Sequence, residues 1–326
     1  MITALGGPQV LQVVNDQVPN PGPGEVRVRI AVSGVAFADV LMRYGLYSPV
    51  PPLPYSPGYD IVGDIESVGS GVTQWVAGDA VAAITRVGGY SQFINLPEGE
   101  LFRVPPGLDP AEAVSLVLNY VTAYQLIHRI ARLHEGDSML IHGAAGGVGT
   151  AALQLGRIAG LKMFGTASRS KHALVESFGG IPIDYKTEDF VKRARGVDAV
   201  FDPIGGLNWW RSYRTLGRGG RLVAFGMSTA IEGGKRHMLR AGASFALLWM
   251  LGLLPGKSAL WSNVMVEKEK HPAWFREDLT RLLEMLAARS IQPVVAARLP
   301  LADASQAHQM LEHASVSGKI VLMCQQ

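Results

Sequence analysis

The chain has 326 residues, of which 48% are hydrophobic and 17% are charged, and its formal net charge is +3. This length accommodates two domains with a large core, and no basic run is dense enough to predict nucleic-acid binding. The single cysteine, Cys324, excludes an internal disulfide framework and a multi-cysteine zinc site. The amino terminus has no secretory-signal pattern, and the apolar run 245–254 is too short to span a bilayer. We therefore expect a cytoplasmic protein.

The amino-terminal third of the chain is predicted to be rich in β-structure. Residues 26–32 alternate between apolar and polar side chains, as in a half-buried strand. Further strands are predicted at Asp60–Val68 and Ala80–Ile84, whereas the proline-rich stretch 49–57 is predicted to be irregular. From residue 111 to residue 130 apolar side chains recur at helical spacing.

A glycine-rich turn between a predicted strand and a predicted helix is the most informative motif. The apolar run 139–141 predicts a buried strand, and a helical pattern begins at residue 151. In this context the turn is typical of a dinucleotide fingerprint, in which glycines let the backbone approach a pyrophosphate and N–H groups at the helix start bind it. A match to G-x-G-x-x-G fails at its first position, Ala144.

The glycines of this turn are expected to have distinct roles. Gly149 would permit close packing of the helix on the strand. The predicted cofactor contacts in the turn are Ala145, Gly146, Gly147, Val148 and Gly149.

The next predicted strand, Lys162–Ala167, is followed by Ser168, Arg169 and Lys171. An NAD site would usually place a carboxylate here to bind the ribose hydroxyls. A carboxylate would repel a 2′-phosphate, whereas a guanidinium, an ammonium group and hydroxyls bind it by charge-assisted hydrogen bonds. The motif therefore predicts NADPH, the alternative being an ordinary helix start capped by serine.

Farther along, strands are predicted at 198–202 and 221–225, separated by helical patterns. This alternation predicts a parallel sheet with right-handed crossovers, in which ligands bind beyond the carboxyl ends of the strands. Glycines there also occur as simple turn punctuation. The predicted cofactor contacts beyond these two strands are Gly205, Phe225, Gly226 and Met227.

The C-terminal part is predicted to contain helices at 275–289 and 304–313, with strands near residue 294 and at 319–323. We expect this tail to rejoin the β-rich domain, so that the nucleotide domain is an insertion. The predicted domains are 1–118 with 266–326, and 119–265.

These motifs resemble the medium-chain dehydrogenase/reductase superfamily along the whole chain, specifically its zinc-free quinone oxidoreductase branch. The segments that carry the resemblance are 34–39, 43–47, 57–60, 68–72, 77–79, 144–149 and 317–322. Segments 118–124, 164–172 and 183–186 look most like homologues of the vesicle amine transport protein. The resemblance implies an α/β protein with a GroES-like β-rich catalytic domain and a doubly wound Rossmann domain. It also implies NADPH in the cleft and a homodimer.

Zinc is not expected. In the superfamily that the chain resembles, alcohol dehydrogenases bind zinc through a Cys in the segment matching 34–39 and a His at the position of Tyr59. Neither is present, and a neutral phenol does not replace imidazole as a ligand. Without zinc, alcohol oxidation is disfavoured. Hydride transfer to a quinone or an α,β-unsaturated carbonyl remains, with chemistry supplied by the cofactor.

Reduction of such an acceptor needs a donor for the oxyanion that develops on it. Relatives carry an Asn at the place of Ala36, a predicted substrate-contact position, so that carboxamide is missing. Tyr47 is the predicted donor, the alternative being a tyrosine packed at the cleft rim. Tyr59 is a second substrate-binding candidate or a wall residue. Asp39 is expected to orient a helix start rather than do chemistry.

The resemblance places Thr122 near the nicotinamide, Asn119 nearby as a substrate contact, and Tyr185 near the adenosine phosphate. The alternatives are helix packing for Asn119 and an ordinary strand-end tyrosine for Tyr185. The apolar run 245–254 could line an apolar acceptor cavity, close a dimer interface or touch a membrane surface. At ten residues, burial or dimer contact is favoured.

Two other functions fit the same motifs. An enoyl-thioester reductase would act on acyl-CoA or carrier-bound enoyl groups. A non-catalytic NADPH-binding interaction protein would bind the cofactor without turnover, and the missing Asn at Ala36 supports it.

Overall fold

The computed structural model describes residues 1–47 and 49–325, without the side chain of Glu232. Contacts divide the chain into two compact units, Met1–Leu118 with Arg276–Gln326, and Asn119–Phe275. The boundary expected at residue 266 falls within the helix Val264–Lys270. The contacts instead divide the chain ten residues later, inside the helix Pro272–Ala287.

The first unit is built on a seven-stranded sheet that is antiparallel except for one parallel pair. Six strands lie in the order Val295–Pro300, Lys319–Met323, Glu25–Val35, Asp60–Val68, Ala80–Ile84 and Phe102–Arg103. The seventh, Phe93–Pro97, pairs with Glu25–Val35. The C-terminal strand therefore lies beside the long amino-terminal strand, where the tail was expected to return.

The apolar residues that alternate with polar ones along the strand Glu25–Val35 are those that face the core. Val26, Val28 and Ile30 are fully buried, while Arg29 between them is exposed. The three aliphatic side chains belong to a core with Ile61, Ile65, Trp75, Val81, Ala83, Leu101 and Cys324. A second core cluster is formed by Val35, Tyr90, Ala304, Ala307, Ile320 and Leu322.

A buried ion pair links two strands of this sheet. Lys319 Nζ lies 2.7 Å from Asp60 Oδ2 and 3.1 Å from Asp60 Oδ1, and both side chains are almost completely buried. A Cβ added to Gly34 would approach the side chains of Asp60 and Lys319 to 2.4 Å, so the pair requires a glycine at that position.

The predicted helices are present, with one irregularity. Residues 110–130 are helical throughout, but π-helical turns at Leu116–Tyr120 and Gln125–Ile130 interrupt the α-helix, which the spacing of apolar residues did not predict. The α-helical segments of this stretch are Pro110–Ser115 and Val121–Tyr124. The other α-helices of the first unit are Phe37–Arg43 and Ala304–Glu312, and the helix Pro272–Ala287 contains the boundary between the units. Short 3-10 helices lie at Pro8–Val10, Glu98–Glu100 and Leu301–Asp303.

The second unit contains a six-stranded, entirely parallel sheet. The strand order is Ser258–Trp261, Leu216–Ala224, Val197–Asp202, Ser138–His142, Lys162–Ala167 and Ile181–Asp184. The first strand in the chain lies in the middle, so the order reverses between Ser138–His142 and Val197–Asp202. This reversal confirms the predicted doubly wound parallel sheet, and such a point is where open α/β sheets bind ligands.

Helices and short elements connect these strands. The α-helices are Gly147–Ile158, His172–Ser177, Phe190–Arg193, Leu207–Thr215, Met238–Gly252 and Val264–Lys270. The 3-10 helices are Arg169–Lys171 and Ser228–Ala230, and Ile231–Glu232 pairs with Lys235–Arg236 as a small hairpin. This hairpin and the strand Ser258–Trp261 were not predicted, because they are too short for a period-two pattern.

The apolar run 245–254 is only partly buried in the single chain, so burial alone does not account for it, and dimer contact stays a prediction. It lies mainly in the helix Met238–Gly252, where Leu248 and Leu251 are buried but Trp249 is 69% exposed. Because the helix is apolar on all sides, burying one face leaves the other at the surface. No helix in the described part of the chain is long and apolar enough to cross a membrane.

Candidate functional site

The glycine-rich turn lies at the point where the strand order reverses. The strand Ser138–His142 ends at Gly143, whose φ of +67° lies in the left-handed region that favours glycine. Ala144 N donates to Thr166 O at 3.0 Å, which ties the turn to the neighbouring strand. Gly146 then precedes the helix Gly147–Ile158 in an extended conformation. The helix therefore starts at the turn with its first N–H groups directed beyond the strand ends, as a phosphate site requires.

Close packing of this helix involves two glycines rather than one. A Cβ on Gly149 would lie 2.3 Å from Gly143 O, so Gly149 packs against the turn and not, as expected, against the strand. The contact with strand side chains is made one helical stretch later by Gly156, where a Cβ would lie 2.6 Å from Met163 Sδ. The G-x-G-x-x-G pattern stops before Gly156, so it could not predict this contact.

Ala144 is the position at which the sequence departs from the fingerprint. Its methyl group fits because the adjacent strand has a glycine, Gly165, beside it. Ala144 is fully buried, and a Cβ on Gly165 of the adjacent strand would lie 2.6 Å from the Ala144 methyl group. The missing side chain at Gly165 thus provides the space that the methyl group of Ala144 occupies. The turn keeps its form without a glycine at its first position.

Asn119 lies against the glycine-rich turn. A Cβ on Gly147 would lie 1.9 Å from Asn119 Nδ2, and the three nearest atoms all belong to the Asn119 carboxamide. The helix Val121–Tyr124, which contains the half-buried Thr122, contacts the helix Gly147–Ile158. The structure therefore brings Asn119 to the first turn of the fingerprint helix, and the short helix that contains Thr122 against the same helix.

We predict that Gly147→Ala lowers NADPH affinity about tenfold or more, because the methyl group displaces either the Asn119 carboxamide or the turn. Replacing Asn119 with Ala removes the three nearest atoms, so the double variant Gly147→Ala, Asn119→Ala should recover part of the affinity. Fluorescence titration with NADPH measures both effects. Gly242→Ala, at a helical glycine with nothing within 4 Å of the added Cβ, is the matched control.

A buried carboxylate holds the end of the strand Val197–Asp202. Asp202 is fully buried and accepts from Ile204 N at 2.7 Å, from Asn208 Nδ2 at 2.8 Å and from Ser212 Oγ at 2.7 Å. Two of these donors lie on the helix Leu207–Thr215. The carboxylate therefore ties the loop after the strand to the helix that follows it.

The same network extends to two further strand ends. Because Ser212 Oγ donates to Asp202, it accepts from His142 Nε2 at 3.0 Å. His142 Nδ1 then accepts from Thr166 Oγ1 at 3.0 Å, and Gly143 N donates to Thr166 Oγ1 at 3.4 Å. Burial lowers the pKa of His142 despite the nearby Asp202, so the ring is neutral and this assignment of protons is consistent.

These polar residues were missed by the sequence reasoning. They fix the relative positions of three adjacent strand ends that form one rim. The signal available was weak: His142, Thr166 and Asp202 are polar residues at the ends of otherwise apolar strands.

The structure brings the other predicted rim residues together. Gly205 has a φ of +90°, and an added Cβ would lie 2.7 Å from Met227 Cγ. A Cβ on Gly226 would lie 3.2 Å from Pro203 atoms, and Ser228 N donates to Pro203 O at 3.0 Å. The two loops that follow Val197–Asp202 and Leu216–Ala224, including Phe225, are thus packed against each other.

Ser168, Arg169 and Lys171 form a single turn after the second strand. Ser168 precedes the 3-10 helix Arg169–Lys171, and Lys171 N donates to Ser168 O at 2.9 Å. Arg169 is exposed, and burial lowers the pKa of Lys171, an effect that a bound phosphate would oppose.

Arg169 also lines a cavity of about 550 Å³ beside the edge strand Ile181–Asp184, together with His172, Ile181, Pro182 and Asp184. Tyr185 follows Asp184 and is 56% exposed, but it does not line this cavity. The cavity lies beside the cationic turn.

In the first unit, the two predicted tyrosines contact each other. Tyr47 Oη lies 2.5 Å from Tyr59 Oη, and the rings meet edge to face with centroids 6.0 Å apart. The Arg86 guanidinium lies 5.8 Å from the centroid of the Tyr47 ring. Burial raises the pKa of Tyr59 well above its usual value, so this phenol stays protonated, and one of the two hydroxyl groups donates to the other.

Asp39 has the structural role that was expected of it. Its carboxylate accepts from Ala36 N at 2.9 Å and from Gly58 N at 3.1 Å. It thereby holds the start of the helix Phe37–Arg43 and the residue before Tyr59. Ala36 is buried and is the residue that precedes this helix. Asp39 therefore positions two predicted substrate-contact residues, Ala36 and Tyr59.

Asp39 ends a buried chain of hydrogen bonds. Arg43 has only donors, so His308 Nδ1 accepts from Arg43 Nη1 at 2.8 Å. His308 Nε2 then carries the proton and donates to Tyr90 Oη at 3.0 Å, and Tyr90 Oη donates to Asp39 Oδ2 at 3.4 Å. Arg43 also contacts Glu312. Burial raises the pKa of Asp39 to about 7 and lowers that of His308 to about 3.

These two pKa shifts predict opposite pH dependences of stability. The pKa of Asp39 is raised in the folded protein. Its contribution to the free energy of unfolding is therefore complete below about pH 3.8 and is lost as the pH rises to about 7. The pKa of His308 is lowered in the folded protein. Its contribution to the free energy of unfolding is therefore complete above about pH 6.5 and is lost as the pH falls to about 3. Between about pH 4 and 6.5 the two contributions therefore oppose each other.

Relative to the wild type, the free energy of unfolding of His308→Gln should fall as pH rises through this window, and that of Asp39→Asn should rise. Each change is at most about 1.4 kcal/mol per pH unit. Urea denaturation at several pH values measures both slopes. His313→Gln, at an exposed histidine that follows the same helix, is the control. Slopes of the same sign in the two variants would contradict the assignment.

Among residues 1–47 and 49–325, no group of three or more His, Cys, Asp or Glu side chains is placed to hold a metal ion.

Two family models match the chain. Residues 22–106 match the alcohol dehydrogenase GroES-like domain, and residues 180–322 match a model described as zinc-binding dehydrogenase. The synaptic vesicle membrane protein VAT-1 homolog of Rattus norvegicus is 33% identical over 339 residues, covering 99% of this chain and 83% of the relative. The quinone oxidoreductase of the same species is 31% identical, covering 98% of this chain and 95% of the relative.

Among solved structures, Escherichia coli quinone oxidoreductase in complex with NADPH superposes with a TM-score of 0.86. It is 29% identical in sequence, and the match covers 99% of this chain and 98% of that one.

Proposed function

The chain belongs to the zinc-free quinone oxidoreductase branch of the medium-chain dehydrogenase/reductase superfamily, and we propose that it is an NADPH-dependent reductase. Its acceptor would be an apolar quinone or α,β-unsaturated carbonyl. The observation that carries the proposal is the glycine-rich turn Gly143–Gly149 at the sheet's reversal point. One strand away, the cationic turn of Arg169 and Lys171 stands where an NAD site would have a carboxylate.

The residues of the second unit fit the cofactor group by group. Backbone N–H groups at the start of the helix Gly147–Ile158 would bind the pyrophosphate, with the close approach that Gly147 allows. Ser168, Arg169 and Lys171 would bind the 2′-phosphate, and Tyr185 would lie near the adenosine. The nicotinamide half would be held by Thr122, Gly205, Phe225, Gly226 and Met227. NADPH, when bound, supplies the hydride.

The first unit would supply the proton. We assign Tyr47 as the donor to the acceptor's oxygen, which gains negative charge when the carbon framework receives the hydride. Once Tyr47 has given up its proton, the buried Tyr59, whose Oη lies 2.5 Å from Tyr47 Oη, would donate to that oxygen and stabilise the charge left on it. The Arg86 guanidinium beside the Tyr47 ring adds a favourable positive charge. Because Tyr59 occupies the position of the histidine ligand in zinc-dependent relatives, the reaction requires no metal in this scheme.

Replacing Arg169 and Lys171 together with Ala should weaken NADPH binding about tenfold to hundredfold, because each makes a charge-assisted bond to the 2′-phosphate. Binding of NADH, which lacks that phosphate, should change little. The double variant Lys192→Ala, Arg195→Ala removes two cations elsewhere in the same unit and is the matched control. Equal losses for NADPH and NADH in the first variant would contradict the assignment.

Turnover is the direct test of the proposed reaction. NADPH oxidation is followed at the nicotinamide absorbance with a benzoquinone, a naphthoquinone, phenanthrenequinone, an alkenal and crotonyl-CoA. We expect turnover with a quinone or the alkenal, and we expect Tyr47→Phe to lower kcat about tenfold to hundredfold without affecting NADPH affinity. An unchanged kcat in Tyr47→Phe would remove this residue from the mechanism.

The same panel separates the two rival functions. Turnover with crotonyl-CoA alone would assign the chain to enoyl-thioester reduction. NADPH binding without turnover of any acceptor would identify an NADPH-binding interaction protein, as the alanine at position 36 suggests. The expected homodimer is tested by light scattering of the purified protein.

A further inference from the structure

Arg86 has a backbone conformation that residues with side chains rarely adopt. Its φ is +64°, in the left-handed region that costs free energy in any residue other than glycine. Such a conformation persists only where neighbouring contacts hold it, and it is frequent at functional sites. Thr85 N and Arg86 N both donate to Tyr59 O, at 2.9 and 3.3 Å, and Thr85 Oγ1 donates to the carbonyl before it at 2.7 Å. The loop that carries Arg86 is therefore fixed beside Tyr59.

The Arg86 guanidinium has no carboxylate to neutralise it. The side chain is half-buried. Within residues 1–47 and 49–325, Nη2 donates to Pro49 O at 2.5 Å, the guanidinium lies over the Tyr47 ring, and no Asp or Glu pairs with it. Nε is buried and has no hydrogen-bond partner there. A charge that has lost hydration without gaining a counter-ion favours the binding of an electron-rich group.

The donors of this guanidinium are unequally available. Nε is closed off by burial, and Nη2 is engaged by Pro49 O. Nη1, by contrast, is not buried and makes no hydrogen bond to the described residues. A carboxylate is normally held by two N–H groups of one guanidinium edge. With one nitrogen available, Arg86 suits a single carbonyl oxygen better than a carboxylate.

We propose that Arg86 is a second hydrogen-bond donor of the acceptor site, in which Nη1 contacts a carbonyl oxygen other than the one that faces Tyr47. This inference rests on the proposed reductase function and adds a residue that determines its specificity. The guanidinium lies 5.8 Å from the centroid of the Tyr47 ring, so the two donors are neighbours on separate side chains. A quinone has two carbonyl oxygens and can contact both, whereas an alkenal has one.

The chemistry of a quinone explains why a second donor helps. Reduction to the hydroquinone takes two electrons and two protons. Both electrons arrive with one proton as a hydride from NADPH, and Tyr47 supplies the other proton, which solvent then returns to it. Both oxygens end as hydroxyl groups, and negative charge spreads over both during the reaction. A guanidinium, which keeps all its protons, stabilises the oxygen that Tyr47 does not contact.

Steady-state kinetics of Arg86→Met with two ring compounds tests this contact. Benzoquinone carries two carbonyl oxygens, and cyclohexenone carries one. The variant should lower kcat/KM for benzoquinone about tenfold to hundredfold, the effect of one lost charge-assisted hydrogen bond, and that for cyclohexenone about threefold at most. Arg86→Lys keeps the charge and should recover part of the loss. Equal losses for both compounds would show that Arg86 acts only through Tyr47 and would overturn the proposal.

Binding of the product provides a readout that needs no turnover. Hydroquinone has two oxygens and phenol has one, and both are titrated calorimetrically into the full-length protein. Hydroquinone should bind about tenfold more tightly than phenol, and Arg86→Met should remove the difference. Equal affinities in the wild type, absence of binding by both included, would refute the second contact. Tighter binding of benzoate than of hydroquinone would assign the guanidinium to a carboxylate and is equally incompatible with it.

Arg132 provides the matched control. It is exposed in the second unit and has a φ of +53°, so Arg132→Met removes an arginine from the same kind of backbone conformation. Its kinetics and affinities should stay unchanged, and thermal unfolding of both variants verifies folding. If no acceptor turns over, the reductase proposal fails, and the hydroquinone titration alone decides the role of Arg86.

Discussion

The candidate cofactor site depends on close approach of backbone segments, which only the absence of side chains allows. At Gly147 the neighbour is the Asn119 carboxamide, and at Gly149 it is the carbonyl of Gly143. At the first fingerprint position the turn itself carries a methyl group, that of Ala144. The space for it comes from the neighbouring strand, where Gly165 has no side chain. A carbon added at Gly147 or Gly149 must displace a packed side chain or backbone. The turn consequently stays open toward the strand ends and presents N–H groups where a phosphate would bind.

Both units hold their candidate site residues by buried carboxylates that accept hydrogen bonds from main-chain N–H groups. Asp202 fixes the loop after its strand, and through His142 its network reaches Thr166 and the turn. Asp39 similarly binds Ala36 N and Gly58 N beside Tyr59. A buried carboxylate is costly unless its oxygens are satisfied, so each network constrains the loops that satisfy it. This provides the rigidity that the proposed site for hydride and proton transfer would need.

Local elements could be predicted from the sequence, whereas contacts between distant segments could not. Strands such as Asp60–Val68, Ala80–Ile84 and Lys162–Ala167 agree with prediction to the residue, because their alternation or continuous apolar character is local. Three of the family segments, by contrast, meet at the ion pair between Asp60 and Lys319 beside Gly34. A sequence shows each of these residues in its own segment. Only the pairing of strands distant in the chain shows that they form one buried contact.

The sequence by itself determined the fold class, the position of the glycine-rich turn and the cationic residues after the next strand, since all three are encoded by residues close together in the chain. The tertiary structure alone decided what those residues contact: Asn119 against Gly147, Gly165 making room for Ala144, and Tyr59 beneath Tyr47. It also decided which face of the helix Met238–Gly252 is buried. Periodicity assigns residues to faces, but in a helix that is apolar on all sides only packing determines which face remains at the surface.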